Sequence, residues 1–93
     1  MTYRIEVKPQ AEKALARIPH PHRRRIARAI DALARAPRPS GCVKLVGADD
    51  VYRIRVGDYR ILYQVMDKVL IIHIIRIGHR PDLSGPPTLI RTR

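Results

Sequence analysis

Ninety-three residues, 45% of them hydrophobic, suffice for one compact domain with a modest core and leave no room for a separate cofactor-binding or regulatory unit. Nineteen Lys and Arg against eight Asp and Glu give a net charge of +11, which points to a polyanionic partner, nucleic acid or ribosome ahead of membrane. The opening MTYRIEVKPQ has no apolar export signal, no aliphatic run approaches a membrane span, and the lone Cys42 lacks a disulfide partner or zinc-spaced ligands, so a cytoplasmic, metal-free protein is expected.

Residues 3–8 alternate, with Tyr3, Ile5 and Val7 on one side and Arg4, Glu6 and Lys8 on the other, as in a half-buried strand. Pro9 stops the strand and suits the first turn of a helix, and Ala11, Ala14, Leu15 and Ile18 then carry an apolar stripe to about Arg17. Pro19 and Pro21 end that helix. A second is expected from Pro21 to about Ala36, with Ile26, Ile30 and Leu33 as its stripe, so that the two form a helical hairpin. Pro37-Arg38-Pro39-Ser40-Gly41 reads as a loop, and everything after it as β.

Val43 to Val46 is a short candidate strand. Val51–Val56 and Tyr59–Met66 are two strands joined by Gly57-Asp58, a pair fit for a two-residue hairpin turn. Val69 to Ile77, apolar on both faces apart from His73 and Arg76, is expected to be a central strand covered on both sides. Residues 1–93 thus read as a single domain of class α/β (α+β): an N-terminal strand, a helical hairpin, then a mostly antiparallel sheet of four to five strands. Residues 83–93, rich in Pro and Gly, read as a flexible tail.

The hairpin turn fixes a register. Val56 pairs with Tyr59, Arg55 with Arg60, Ile54 with Ile61, Arg53 with Leu62 and Tyr52 with Tyr63. Tyr52, Ile54, Val56, Tyr59, Ile61 and Tyr63 then form an apolar face that the helices can cover, and Arg53, Arg55 and Arg60 emerge on the other. Opposed like charges destabilise a sheet, and Asp58 is the only carboxylate within the hairpin, so an anion site fits better than a solvated face. Arg76, His79 and Arg80 add cations and an imidazole at the end of the last strand, where His79 is the candidate acid/base group. His73 reads as a cross-strand histidine, and His20 and His22 as capping or solvent residues.

The stretch Lys44-Leu45, then Val51-Tyr52-Arg53-Ile54-Arg55-Val56-Gly57-Asp58-Tyr59-Arg60-Ile61-Leu62-Tyr63-Gln64-Val65, then Arg76-Ile77-Gly78-His79-Arg80, resembles the core signature of RelE-type toxins in the RelE/ParE superfamily. The order of elements agrees as far as Asp82. The resemblance implies the toxin component of a type II toxin–antitoxin system. Such a toxin is a cofactor-independent endoribonuclease, an mRNA interferase that cleaves messenger in the ribosomal A site and inhibits translation. Its implied partners are the ribosome with its mRNA and an acidic, partly disordered antitoxin encoded beside it, with operator DNA met only through the antitoxin complex. Carried over by position, the catalytic set falls on Arg53, Arg55, Arg60 and Arg80, with His79 beside it, and the RNA-binding set on Lys44, Arg53, Arg55 and Arg76. Two departures stand out. The basic pair at Arg53 and Arg55 is lysine in the best-known member of the family, and arginine cannot serve as a simple general base. The family's C-terminal tyrosine is expected near Ser84, where this chain reads Asp82-Leu83-Ser84-Gly85-Pro86.

Two other classes fit the same residues. A gyrase-directed toxin of the ParE branch would share the fold and need no nuclease site. A basic binding protein acting with its antitoxin in operator repression would need only the charge.

Overall fold

Pro9 sets the first boundary in the chain, because it has no N–H for a strand ladder and its fixed φ suits a helix start. The computed structural model, which describes residues 2–79, accordingly ends strand β1 (Arg4–Val7) just before helix α1 (Pro9–Arg17). The expectations for Arg80 and for the tail from residue 83 lie outside the described residues. Ile18 and Pro19 are extended, at ψ 136° and 145°, and turn the chain into helix α2 (His20–Leu33). This helix stops three residues short of Ala36. The Ala34 and Arg35 N–H groups bond back three residues, to Asp31 and Ala32 at 3.1 and 3.2 Å. That tightening ends a helix whose next residues run into Pro37.

The strands that follow are β2 (Val43–Lys44), β3 (Val51–Val56), β4 (Tyr59–Met66) and β5 (Ile71–His79). They form one sheet in the order β1-β5-β4-β3-β2, antiparallel except for the parallel β1–β5 pair. Strand β2 has only two residues, opposite Tyr52 and Arg53, so among the described residues the outer edge of β3 beyond Arg53 has no neighbouring strand. Strand β5 begins at Ile71 and not Val69, because Leu70 takes a left-handed φ of 56° to close the turn from β4.

One face of the sheet is covered by α1 and α2. Ile26 and Leu33 of α2 meet Ile61, Tyr63, Ile72 and Ile74 there, all at most 1% exposed. Burying each such aliphatic side chain contributes on the order of 1.5–3 kcal/mol. The opposite face of β5 is only half-buried at Ile71, His73 and Ile75, so the strand is central in the sheet but covered by helices on one side alone. Between β4 and β5 the register slips. Tyr63 pairs with Ile74 and Leu62 with Arg76, which leaves Ile75 as an extra residue, a β-bulge. Before it the even residues Ile72 and Ile74 face the helices; after it Ile77 does.

The loop after α2 is tied down by polar contacts. Arg38 donates through Nη2 to Asp67 Oδ2 at 2.7 Å and through Nε to the Tyr52 hydroxyl at 2.9 Å, while the Tyr3 hydroxyl donates to Asp67 Oδ1 at 2.5 Å. The Tyr63 hydroxyl donates to the Pro37 carbonyl at 2.7 Å, and burial pushes its pKa well above the ordinary tyrosine value. Asp67 therefore joins β1, the loop and the β4–β5 turn. Among the described residues, no helix is long and apolar enough to cross a membrane.

The Arg38 and Tyr3 hydrogen bonds hold the Asp67 carboxyl below its usual pKa. A depressed folded-state pKa stabilises above the unfolded-state value and loses that contribution as pH falls. Thermal melts should thus show Asp67→Asn below wild type at pH 7, with the gap closing as the pH drops from about 4 downward, near the unperturbed carboxylate value. A gap that stays constant down to about pH 2 would contradict this assignment.

Candidate nucleic-acid interface

Gly57 has φ +60° and Asp58 is not among the residues with positive φ, the pattern of a type II′ turn with glycine at its first central position. This turn makes Val56 and Tyr59 the hydrogen-bonded pair at the hairpin's end. Arg55 and Arg60 come next, directly opposite each other. They form a non-hydrogen-bonded pair, in which side chains sit closest, with Cα atoms about 4.5 Å apart. The turn that sets the register therefore also sets two guanidinium stems side by side.

Arg53 emerges on the same face, opposite Leu62. Leu62 is itself 2% exposed yet lies away from the helix-side core, so this face has an apolar floor between its cations. Arg55 is exposed and donates through Nε to the Gly57 carbonyl at 3.0 Å, which holds its stem toward the turn. Arg53 and Arg60 are half-buried, and Arg60 Nη1 is shielded from solvent. Gly78 is the β5 partner of Arg60 and places no side chain beside it. Across the sheet the same face turns polar and mixed: Glu6 lies 3.3 Å from Arg4 and 3.6 Å from His73 Nδ1, the cross-strand position expected for His73.

Three other residues assigned from sequence sit elsewhere. Lys44 pairs with Tyr52 and so belongs to the helix-side face, with Val43 opposite Arg53 in its place. His79 pairs with Tyr59, also on the helix side, and their rings meet edge to face at 4.6 Å. The Ile75 bulge is the cause, since it shifts the alternation of β5 by one residue. His22 approaches the same tyrosine at 5.8 Å, an aromatic contact at a position where the sequence pattern suggests only a capping or solvent role. Arg76 is opposite Leu62 in register but lines a groove with α1. Arg80 lies outside the described residues. The structure therefore brings together Arg53, Arg55 and Arg60.

Among the described residues, no three His, Cys, Asp or Glu side chains gather as a metal-ligand group. The chemistry available on the face is electrostatic: guanidiniums that stay protonated and present planar donors to phosphate oxygens.

Comparison with known proteins agrees with this frame. The family model for the ParE toxin of type II toxin–antitoxin systems matches residues 5–83. A putative toxin RelE1 from Methanocaldococcus jannaschii is 30% identical over 80 residues, which cover 81% of this chain and 89% of the relative. The crystal structure of an archaeal RelE–RelB complex from Pyrococcus horikoshii superposes with a TM-score of 0.77 at 39% identity, over 86% of this chain and 97% of that one. The intact RelBE toxin–antitoxin complex of E. coli gives a TM-score of 0.74 at 25% identity, over 83% and 95%.

The Arg55–Arg60 opposition should cost stability in the absence of an anion. Arg55→Gln is expected to raise the unfolding free energy by a few tenths to about 1 kcal/mol in low-salt denaturant titrations. The gain should shrink at about 1 M salt, where the screening length falls to about 3 Å. A variant less stable than wild type at low salt would show that the pair is already neutralised within the fold.

Proposed function

The chain belongs to the RelE/ParE superfamily and is a toxin of a RelBE-type toxin–antitoxin system; from that premise, we propose that it is a metal-independent endoribonuclease acting on mRNA in the ribosomal A site. The observation that carries this reading is the Arg53, Arg55 and Arg60 cluster, set on one sheet face by the hairpin register with an arginine pair directly opposed. In the proposed reaction the ribose 2′-hydroxyl gives its proton to water and attacks the adjacent phosphate, and the 5′-oxygen of the next nucleotide leaves with a proton taken from water, giving a 2′,3′-cyclic phosphate. Fixed guanidiniums stabilise the charge that grows on the phosphoryl oxygens, and positioned cationic donors of this kind supply factors of roughly 10²–10³ each. Arg80, next after His79, is proposed as a fourth member on the strength of the family resemblance. None of the arginines can accept the 2′-hydroxyl proton, and the placement of His79 against Tyr59, on the other face of the sheet, argues against that role for it.

The matching family model is that of ParE, which favours a second reading, a gyrase-directed toxin acting by protein contact. The arginine face argues for the nuclease, because an inhibitor that works by docking has no need of two arginines set directly opposite each other on one sheet face. We also assign the chain an antitoxin partner, since the Pyrococcus and E. coli relatives are found in complexes with RelB or as RelBE. A net charge of +11 suits an acidic, partly disordered partner, and operator DNA would be met through that complex.

Primer-extension mapping of a translated messenger tests the proposal. Cleavage is expected only when ribosomes are present, and it should fall by roughly 10²–10³-fold in Arg60→Ala and in Arg80→Ala. Absence of cleavage by wild type, together with trapped DNA breaks when gyrase is added, would move the assignment to the ParE branch.

A further inference from the structure

Gln10, Lys13 and Arg17 follow one another along a single side of α1. Together with Ala14 they face Arg76 and Ile77 of β5 across a groove of about 280 Å3. The last β1–β5 pairing is Val7 with Ile74, so among the described residues no strand pairs with that edge of β5 from the bulge onward. Its lining holds three cations and an amide and no carboxylate. Lys13, Arg17 and Arg76 take part in none of the ion pairs or side-chain hydrogen bonds found among the described residues. Like charges four residues apart destabilise a helix, and a third cation across the groove adds to the repulsion. Such an arrangement is unfavourable when empty and favourable around an anion.

We propose that this α1–β5 groove binds the phosphodiester backbone of RNA, as an anchoring site separate from the Arg53, Arg55 and Arg60 face. The assignment rests on the reading of the chain as RNA-directed. Arg76 then serves the groove instead of the sheet face. Charge alone would also admit an acidic peptide, but a peptide partner gains its affinity from apolar anchors, and this groove offers only Ala14 and Ile77. Apolar lining lies elsewhere, in a groove of about 380 Å3 between α2 and β3 that includes Ala29, Ala32, Leu33 and Ile54. The two grooves differ in lining: cations in one, mostly apolar side chains in the other.

The test uses the full chain and a single-stranded 2′-O-methyl RNA oligonucleotide, which lacks the attacking hydroxyl and stays intact. Fluorescence anisotropy over a salt series gives the slope of log affinity against log salt, whose magnitude is about 0.7 for each phosphate neutralised on a single strand. Lys13→Gln/Arg17→Gln and Arg76→Gln should each reduce the slope and the affinity. Arg53→Gln/Arg55→Gln should reduce them independently, and combining the two sets should give the sum of their effects. Thermal melts should place the groove variants at or above wild type, because relieved repulsion does not unfold a protein; weaker binding accompanied by a lower melting temperature would overturn the assignment. Groove variants that keep the wild-type slope while the sheet-face variant does not would overturn the groove and leave the RNA-directed reading standing. Groove variants that bind RNA normally but no longer bind the antitoxin would make the groove a protein surface and also overturn it. A wild-type protein that fails to bind the oligonucleotide at any salt would overturn both readings together.

Discussion

The two-residue turn at Gly57-Asp58 is the constraint on which the rest of the molecule depends. A strand's side chains alternate with period two, so fixing one pair fixes the face of every other residue in the hairpin. With Val56 opposite Tyr59, the apolar set Tyr52, Ile54, Ile61 and Tyr63 falls under the helices and the arginines fall on the free face. A slip of one residue would bury guanidiniums in the core and expose the tyrosines. The glycine's φ of +60° at the first central position makes the turn, and so the register, unstrained. Core and candidate site are in this sense products of one local backbone choice, and neither can be altered without moving the other.

The opposite end of the sheet is organised by a single carboxylate. Asp67 receives Arg38 from the loop after α2 and Tyr3 from just before β1, and Arg38 continues to Tyr52 in β3. Four segments distant in sequence converge there. The helical layer's connection to the sheet is pinned at that end, and the arginine cluster stands at the hairpin end.

Much of this was legible in the sequence. The Pro9 boundary, both hairpin strands with their pairing and the single-sided apolar pattern follow from proline chemistry and from the alternation of Val51–Met66. The shared face of Arg53, Arg55 and Arg60 follows from the same alternation. Illegible from the chain alone was Ile75, because a run such as Ile74-Ile75 gives no sign of which residue will be skipped in pairing. Its insertion moved His79 to the Tyr59 side and placed Arg76 at the open edge of β5. The face of Lys44 was hidden for a related reason: the loop before β2 has no alternation to set its phase, and only the pairing with Tyr52 does so. The contact of Asp67 with Tyr3 spans 64 residues and leaves no local signature either.

The brevity of β2 has a colloidal consequence. Among the described residues no strand pairs with the outer edge of β3 past Arg53, where the hairpin register turns the Arg55 backbone N–H and carbonyl outward, and an unpaired edge is a template for a strand from another copy. Charged side chains are what keep such edges apart, and Arg55 on this edge, with Arg53 and Arg60 beside it, supplies them. The protection lasts only while the charge is uncompensated. Any polyanion that neutralises the arginine face without also covering the β3 edge removes the repulsion and leaves the template in place. Near charge balance the unpaired edge is therefore the surface on which copies of this chain would meet, and an excess of either sign keeps them apart.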